Sequence, residues 1–195
     1  MNKILADMHT HTIASGHAYA TLTEMCKEAA NKGLEIYGIT EHSSGIPGTC
    51  ADLYFKNLGV VPRDLFGLDL RLGAEINIID YNGTLDLGQE YIDRLDFVIA
   101  GIHSVCYKFG SKEENTAAII NAIKNPNVNI ISHPDDGRCP LDYEALVQAA
   151  KEYHVLLEIN NNALRDKNRK NVKNKKYEQK VLTKIFLDYI MVSVR

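Results

Sequence analysis

Six of the seven histidines in this sequence, and one glutamate, fall at or just beyond the ends of short apolar runs. His9 and His11 follow residues 4–8, His42 follows 36–40, Glu75 closes 70–76, His103 follows 97–102 and His133 follows 128–132. His17 lies past a turn made by Ser15 and Gly16 and can reach back from the first loop. Imidazole and carboxylate are the donors of zinc and manganese sites. A lone histidine is ordinarily a satisfied core or surface residue, and His154, in a helix-to-strand turn, is read that way. Six histidines recurring at one topological position are read as metal ligands, because they would otherwise form a costly set of half-buried polar groups.

The segment D-M-H-T-H-T-I-A-S-G-H shows the spacing logic. Alternate residues of an extended strand share a face, so Asp7, His9 and His11 are expected to point into one cavity. Asp7 sits deeper and reads either as a carboxylate that orients an imidazole or as half of a buried salt bridge. Arg138, in the loop after the fifth run, is a candidate phosphate contact through its planar guanidinium, with a solvated loop arginine as the alternative. Asn160, Asn161 and Asn162 end a sixth run, where they either position substrate or cap a turn.

The elements that must position these groups alternate between strand-length apolar runs and segments of helical period, the pattern of a parallel α/β fold. Strands are expected at 4–8, 36–40, 70–76, 97–102, 128–132 and 155–159, with the closing YIMVSVR as a seventh. Thr21 with Glu24 and Ser111 with Glu114 have the spacing of capping boxes, and Asp142 opens a further helix running to Tyr153. A short helix is expected at 87–94, and one on Tyr177, Val181, Leu182 and Ile185. Residues 41–69 read as irregular, being interrupted by Pro47, Gly48, Gly59, Pro62 and Gly67. In a closed parallel barrel the C-terminal strand ends converge on one face, where active sites are built.

Composition sets the class. With 195 residues, the chain suits one domain, here 1–195. It has no apolar run long enough to span a membrane and no signal-peptide pattern, so the reading is a cytoplasmic protein without a membrane partner. Cys26, Cys50, Cys106 and Cys139 are scattered like reduced thiols rather than paired like ligands or disulfides. The net charge of -3 is uneven: nine of the 22 Lys and Arg residues lie within 165–184, facing only Asp166 and Glu178. That run reads as a solvated loop and helix face or as a nucleic-acid surface.

Together these segments resemble the PHP (polymerase and histidinol phosphatase) domain family, within it the small single-domain probable phosphatases. DMHTHTIASGHAY, ITEH, GAEINIID, AGIH, ISHP and LEINNN are similar to that group's successive motifs, in order over most of the chain. The resemblance implies a distorted seven-stranded (β/α) barrel of TIM-like type with up to three Zn2+ or Mn2+ ions. It puts His9, His11 and Glu75 at one ion, His17 and His42 at a second, and Glu75, His103 and His133 at a third. Metal-activated water is then the expected nucleophile for phosphoester hydrolysis of a small phosphorylated substrate, and no side-chain nucleophile is required.

The ending departs from the family pattern, which closes the site with D-x-H on the seventh strand. No histidine follows His154, Asp188 precedes the terminal run, and the sequence is atypical from about residue 180. The expectation is an incomplete barrel end, from truncation or a frame change, with fewer ions held tightly and impaired turnover. Two other readings stand beside the phosphatase: a non-catalytic metal-binding pseudoenzyme, and a PHP-type exonuclease suggested by the basic segment.

Overall fold

A computed structural model describes residues 4–160 and the backbone of 190–193. Asn161, Asn162, the basic segment and the helix expected around Tyr177 lie outside the described residues. The chain forms two compact units, one of Met1–Asn77 with Asp86–Ile99, the other of Ile78–Leu85 with Ala100–Arg195.

In the first unit, strand β1 (Ala6–Asp7) pairs in parallel with β2 (Ile36–His42), which pairs in parallel with the later strand Leu68–Asn77. A two-residue strand, β3 (Asp64–Leu65), folds back antiparallel on that later strand, β4, through a turn in which Phe66 and Gly67 both have positive φ. The hairpin and a short helix, α2 (Leu53–Asn57), occupy the stretch expected to be irregular. Phe55 and Leu58 explain why structure forms there, since both are buried despite the flanking glycines and prolines.

The sheet's chemistry follows its coverage. In β4, Leu68, Leu70 and Leu72 are buried while Asp69 and Arg71 are exposed and ion-paired at 2.7 Å; from Leu72 onward every residue is buried. Strand β2 is buried from Tyr37 to His42. Continuous burial marks parallel strands covered on both faces. Helix α1 (Leu22–Asn31) lies against β2 and β4 and buries Cys26 and Ala29.

The chain passes between units within β5 (Phe97–Gly101), beyond the short helix α3 (Gln89–Ile92). In the second unit, the Ser132 N–H donates to Ala100 O at 2.9 Å, just after β6 (Ile130–Ile131). Strand β6 pairs in parallel with β7 (Leu156–Asn160), and β7 with β8 (Ile190–Ser193). The terminal run is thus the expected strand, in a register that sets Asn160 opposite Ser193. Helices α4 (Lys112–Ile123) and α5 (Tyr143–Tyr153) pack together, burying Ile119, Ile123, Leu146, Val147 and Ala150. His154 closes α5 in the left-handed conformation (φ 57°), its N–H bonded to Ala150 O, and so leads into β7 rather than following a strand.

Both expected capping boxes form. In α4 the Glu114 N–H donates to Ser111 Oγ at 3.2 Å and the Ser111 N–H to Glu114 Oε2 at 2.8 Å. Replacing Ser111 by Ala is expected to destabilise the fold by about 1 kcal/mol, read as a lower urea midpoint at unchanged slope.

Candidate metal centre

Strand β1 ends at Asp7, so His9 and His11 do not sit on it, and strict alternation is not what gathers them. The segment after the strand runs alongside β2 instead. The Thr40 N–H donates to Thr10 O at 2.9 Å, and Thr10 Oγ1 donates to Gly38 O at 2.6 Å. This brings His9 and His11 against the end of β2, where His42 stands opposite Glu75 in the β2–β4 register.

The result is a carboxylate ringed by imidazoles. Glu75 Oε2 lies 3.1 Å from His9 Nε2, 3.2 Å from His11 Nε2 and 3.1 Å from His42 Nδ1. His9 Nε2 and His11 Nε2 are 3.2 Å apart, and the four residues are buried. Donor atoms of His9, His11 and Glu75 fall within 4.8 Å of one another, as do those of His11, His17 and His42. His17 is the exposed member; its ring centroid is 4.9 Å from those of both His11 and His42, and its Nδ1 lies 3.1 Å from Ser15 O. One carboxylate oxygen facing ring nitrogens from separate segments suits a divalent cation, which draws such lone pairs to one point.

In the second unit, the His103 and His133 rings meet edge to face with centroids 5.1 Å apart. His133 has positive φ (32°), and its N–H donates to Glu158 Oε2 at 2.8 Å. Glu158 Oε1 also accepts from Asn160 Nδ2 at 3.2 Å. Asp135 is buried beside them. Burial pushes its carboxyl up to about 6, His133 drawing it down and Glu158 pushing it further up.

Asp7 Oδ1 accepts the His9 backbone N–H at 3.3 Å. Arg138 is exposed and engaged by Asp136, through Nε at 3.0 Å and Nη2 at 2.5 Å, so a phosphate at this guanidinium would have to compete with that carboxylate. None of the four cysteines is in a disulfide, and burial pushes the thiols of Cys50 and Cys139 up to about 11 and about 12.

Sequence reasoning did not single out Ser15 as a hydrogen-bonding group, nor Glu41, Asp135 or Glu158. Glu41 and Glu158 were detectable in principle, each being a carboxylate near the end of a strand that begins with apolar residues, and both are wholly buried.

A model of the PHP domain family matches residues 7–189. The chain belongs to the PHP domain family. A probable phosphatase of Caldicellulosiruptor saccharolyticus is 50% identical over 167 residues, 85% of this chain and 70% of that protein. One of Acetivibrio thermocellus is 48% identical over 161 residues, 83% of this chain and 67% of the relative. Solved structures share the fold at low identity. The histidinol phosphate phosphatase of Lactococcus lactis, complexed with zinc, L-histidinol and phosphate, superposes with a TM-score of 0.54 at 17% identity, over 97% of this chain and 84% of that one. A chain of an archaeal ribonuclease P bound to mature tRNA gives 0.55 at 14%, over 97% and 73%. The PHP fold, α/β with parallel strands, is therefore shared with the TIM-like histidinol phosphatase.

The approach of the His9–His11 segment to β2 depends on Gly38. A Cβ there would meet the Met8 Cα and O, each at 2.7 Å, and backbone cannot move aside cheaply. Gly38→Ala is expected to destabilise the protein by roughly 1–3 kcal/mol and to lower its metal content, measured by thermal unfolding and elemental analysis.

Proposed function

We propose that this chain is a metal-dependent phosphatase acting on small phosphorylated substrates. The observation that carries the reading is Glu75 Oε2, within 3.1–3.2 Å of three imidazole nitrogens in a buried cluster. The probable-phosphatase relatives support the reaction class. We read residues 1–195 as one PHP-type domain. The scattered cysteines suit a cytoplasmic protein, and among the described residues no helix is long and apolar enough to cross a membrane.

His9, His11 and Glu75 would hold one ion, His17 and His42 a second, and His103 with His133 would offer two imidazoles to a third. Zinc and manganese both suit these donors. When bound, such ions supply Lewis acidity toward phosphoryl oxygens and make water a stronger acid. The chain's own contribution is positional. Glu75 brings a negative charge, and burial of His9, His11 and His42 keeps bulk water from competing for their ring nitrogens. His17 is solvent-exposed and gives the cluster an accessible side. Asp7 is assigned a supporting role through the His9 backbone, and Arg138 a phosphate contact once released from Asp136.

Strand β8 carries neither Asp nor His in Ile190–Ser193, and among the described residues the first and second ions would have the ligands just named. Fewer than three tightly bound ions and modest turnover are expected. With added zinc or manganese, hydrolysis of p-nitrophenyl phosphate and sugar phosphates should exceed that of single-stranded DNA. The reverse preference would favour the exonuclease reading, and stoichiometric metal without turnover the pseudoenzyme. Glu75→Gln should lower metal affinity by about 100-fold or more, since even supporting groups contribute 10–100-fold. His154→Gln should leave metal content unchanged; equal losses by elemental analysis would refute the assignment.

A further inference from the structure

Ser15 and Glu41 lie directly behind the cluster. Glu41 is wholly buried, with both carboxylate oxygens occupied by donors. The Thr12 N–H approaches Oε1 at 3.2 Å and Oε2 at 3.1 Å, Thr12 Oγ1 lies 2.5 Å from Oε1, and Ser15 Oγ makes a short contact with Oε2. Ser15 is buried too. Its Oγ also receives the His42 N–H at 3.1 Å and stands 2.9 Å from His11 Nδ1.

Counting hydrogens settles the directions. A carboxylate only accepts, so the single Ser15 hydroxyl hydrogen goes to Glu41. Ser15 Oγ then has two lone pairs left. One takes the His42 N–H, and the other faces His11 Nδ1, which must therefore carry a hydrogen. A neutral imidazole has one N–H, so His11 Nε2 is left with its lone pair, and Nε2 is the atom 3.2 Å from both Glu75 Oε2 and His9 Nε2.

We infer that Glu41 and Ser15 are positioning residues that lock His11 in the Nδ1–H tautomer, aiming its Nε2 lone pair at the metal centre while Ser15 also anchors the backbone of His42. The inference rests on the metal reading of the cluster and extends it to two residues that make no contact with an ion. The relay spans three chain segments: Ser15 from the first loop, Glu41 from β2, and His11 from between β1 and that loop. One hydroxyl therefore sets the ring state of one ligand and the placement of another. Removing the hydroxyl takes away the acceptor that faces His11 Nδ1, which favours the hydrogen on Nε2, where the Glu75 carboxylate would accept it and compete with a cation.

The test reads the tautomer and metal binding separately. Long-range proton–nitrogen correlation spectra of metal-free, histidine-labelled protein should show His11 as Nδ1–H in the wild type. Ser15→Ala should shift it to Nε2–H. Glu41→Gln should do the same by a different route, because an amide N–H facing Ser15 turns the hydroxyl hydrogen toward His11. Zinc titration of these two variants should show affinity about ten- to a hundredfold weaker than the wild type. Thr12→Val, which removes a Glu41 donor without touching His11, should reduce stability and keep the Nδ1–H form, separating the relay from general damage to the site. An Nε2–H tautomer in the wild type would overturn the relay, as would unchanged tautomer or unchanged zinc affinity in both variants. A wild-type chain showing the Nδ1–H form but binding neither zinc nor manganese would instead overturn the metal reading.

Discussion

The buried carboxylate of Glu75 is the constraint around which the first unit is organised. A carboxylate removed from water needs compensation worth several kcal/mol, and here it is met by three imidazoles that arrive from distant segments. Only a fixed register can deliver them. The parallel pairing of β2 with β4 sets His42 opposite Glu75, and the run of buried residues along both strands leaves no room for slippage. The segment carrying His9 and His11 is then secured by Thr10 and Thr40 to β2, close against Gly38.

Behind these ligands, both units use the same device: a carboxylate in a buried stretch of strand that accepts hydrogen bonds from a segment bearing a histidine. In the first, Glu41 binds Thr12 and Ser15, the N-cap and the last residue of the 3-10 turn Ile13–Ser15. In the second, Glu158 holds the His133 N–H and thereby supports a backbone with positive φ, unusual for a residue with a Cβ. A local strain of that kind persists only when its surroundings over-determine it, and a wholly buried carboxylate bonded to the same residue does so.

Much of this was legible in the residues themselves. The strand-end recurrence of histidines pointed to the cluster, both capping boxes formed as their spacing implied, and the closing apolar run pairs with β7 as a strand. The fold class followed from the alternation of apolar runs and helical periods. Where the reading differed, the cause was tertiary. The hairpin at Asp64–Leu65 forms because β4 offers it an edge, in a stretch whose glycines and prolines argue locally against order. The segment with His9 and His11 is held by hydrogen bonds to β2 rather than by membership of β1, so these two histidines come together through a different element from the one that alternation assumed.

The sequence by itself determined which donor groups exist and which topological positions they occupy, because strand periodicity, caps and turns are local and readable from neighbours in the chain. It also carried the family, through motifs whose order alone is distinctive. Only the tertiary structure decided which nitrogen of His11 faces the cluster. That depends on a serine hydroxyl whose hydrogen is claimed by Glu41, 26 residues away, and whose lone pairs are shared with His42, 27 residues away. No local spacing encodes such a partnership. A hydrogen bond is directional and satisfied once, so its consequence for an imidazole can be known only when every donor and acceptor around that hydroxyl has been placed.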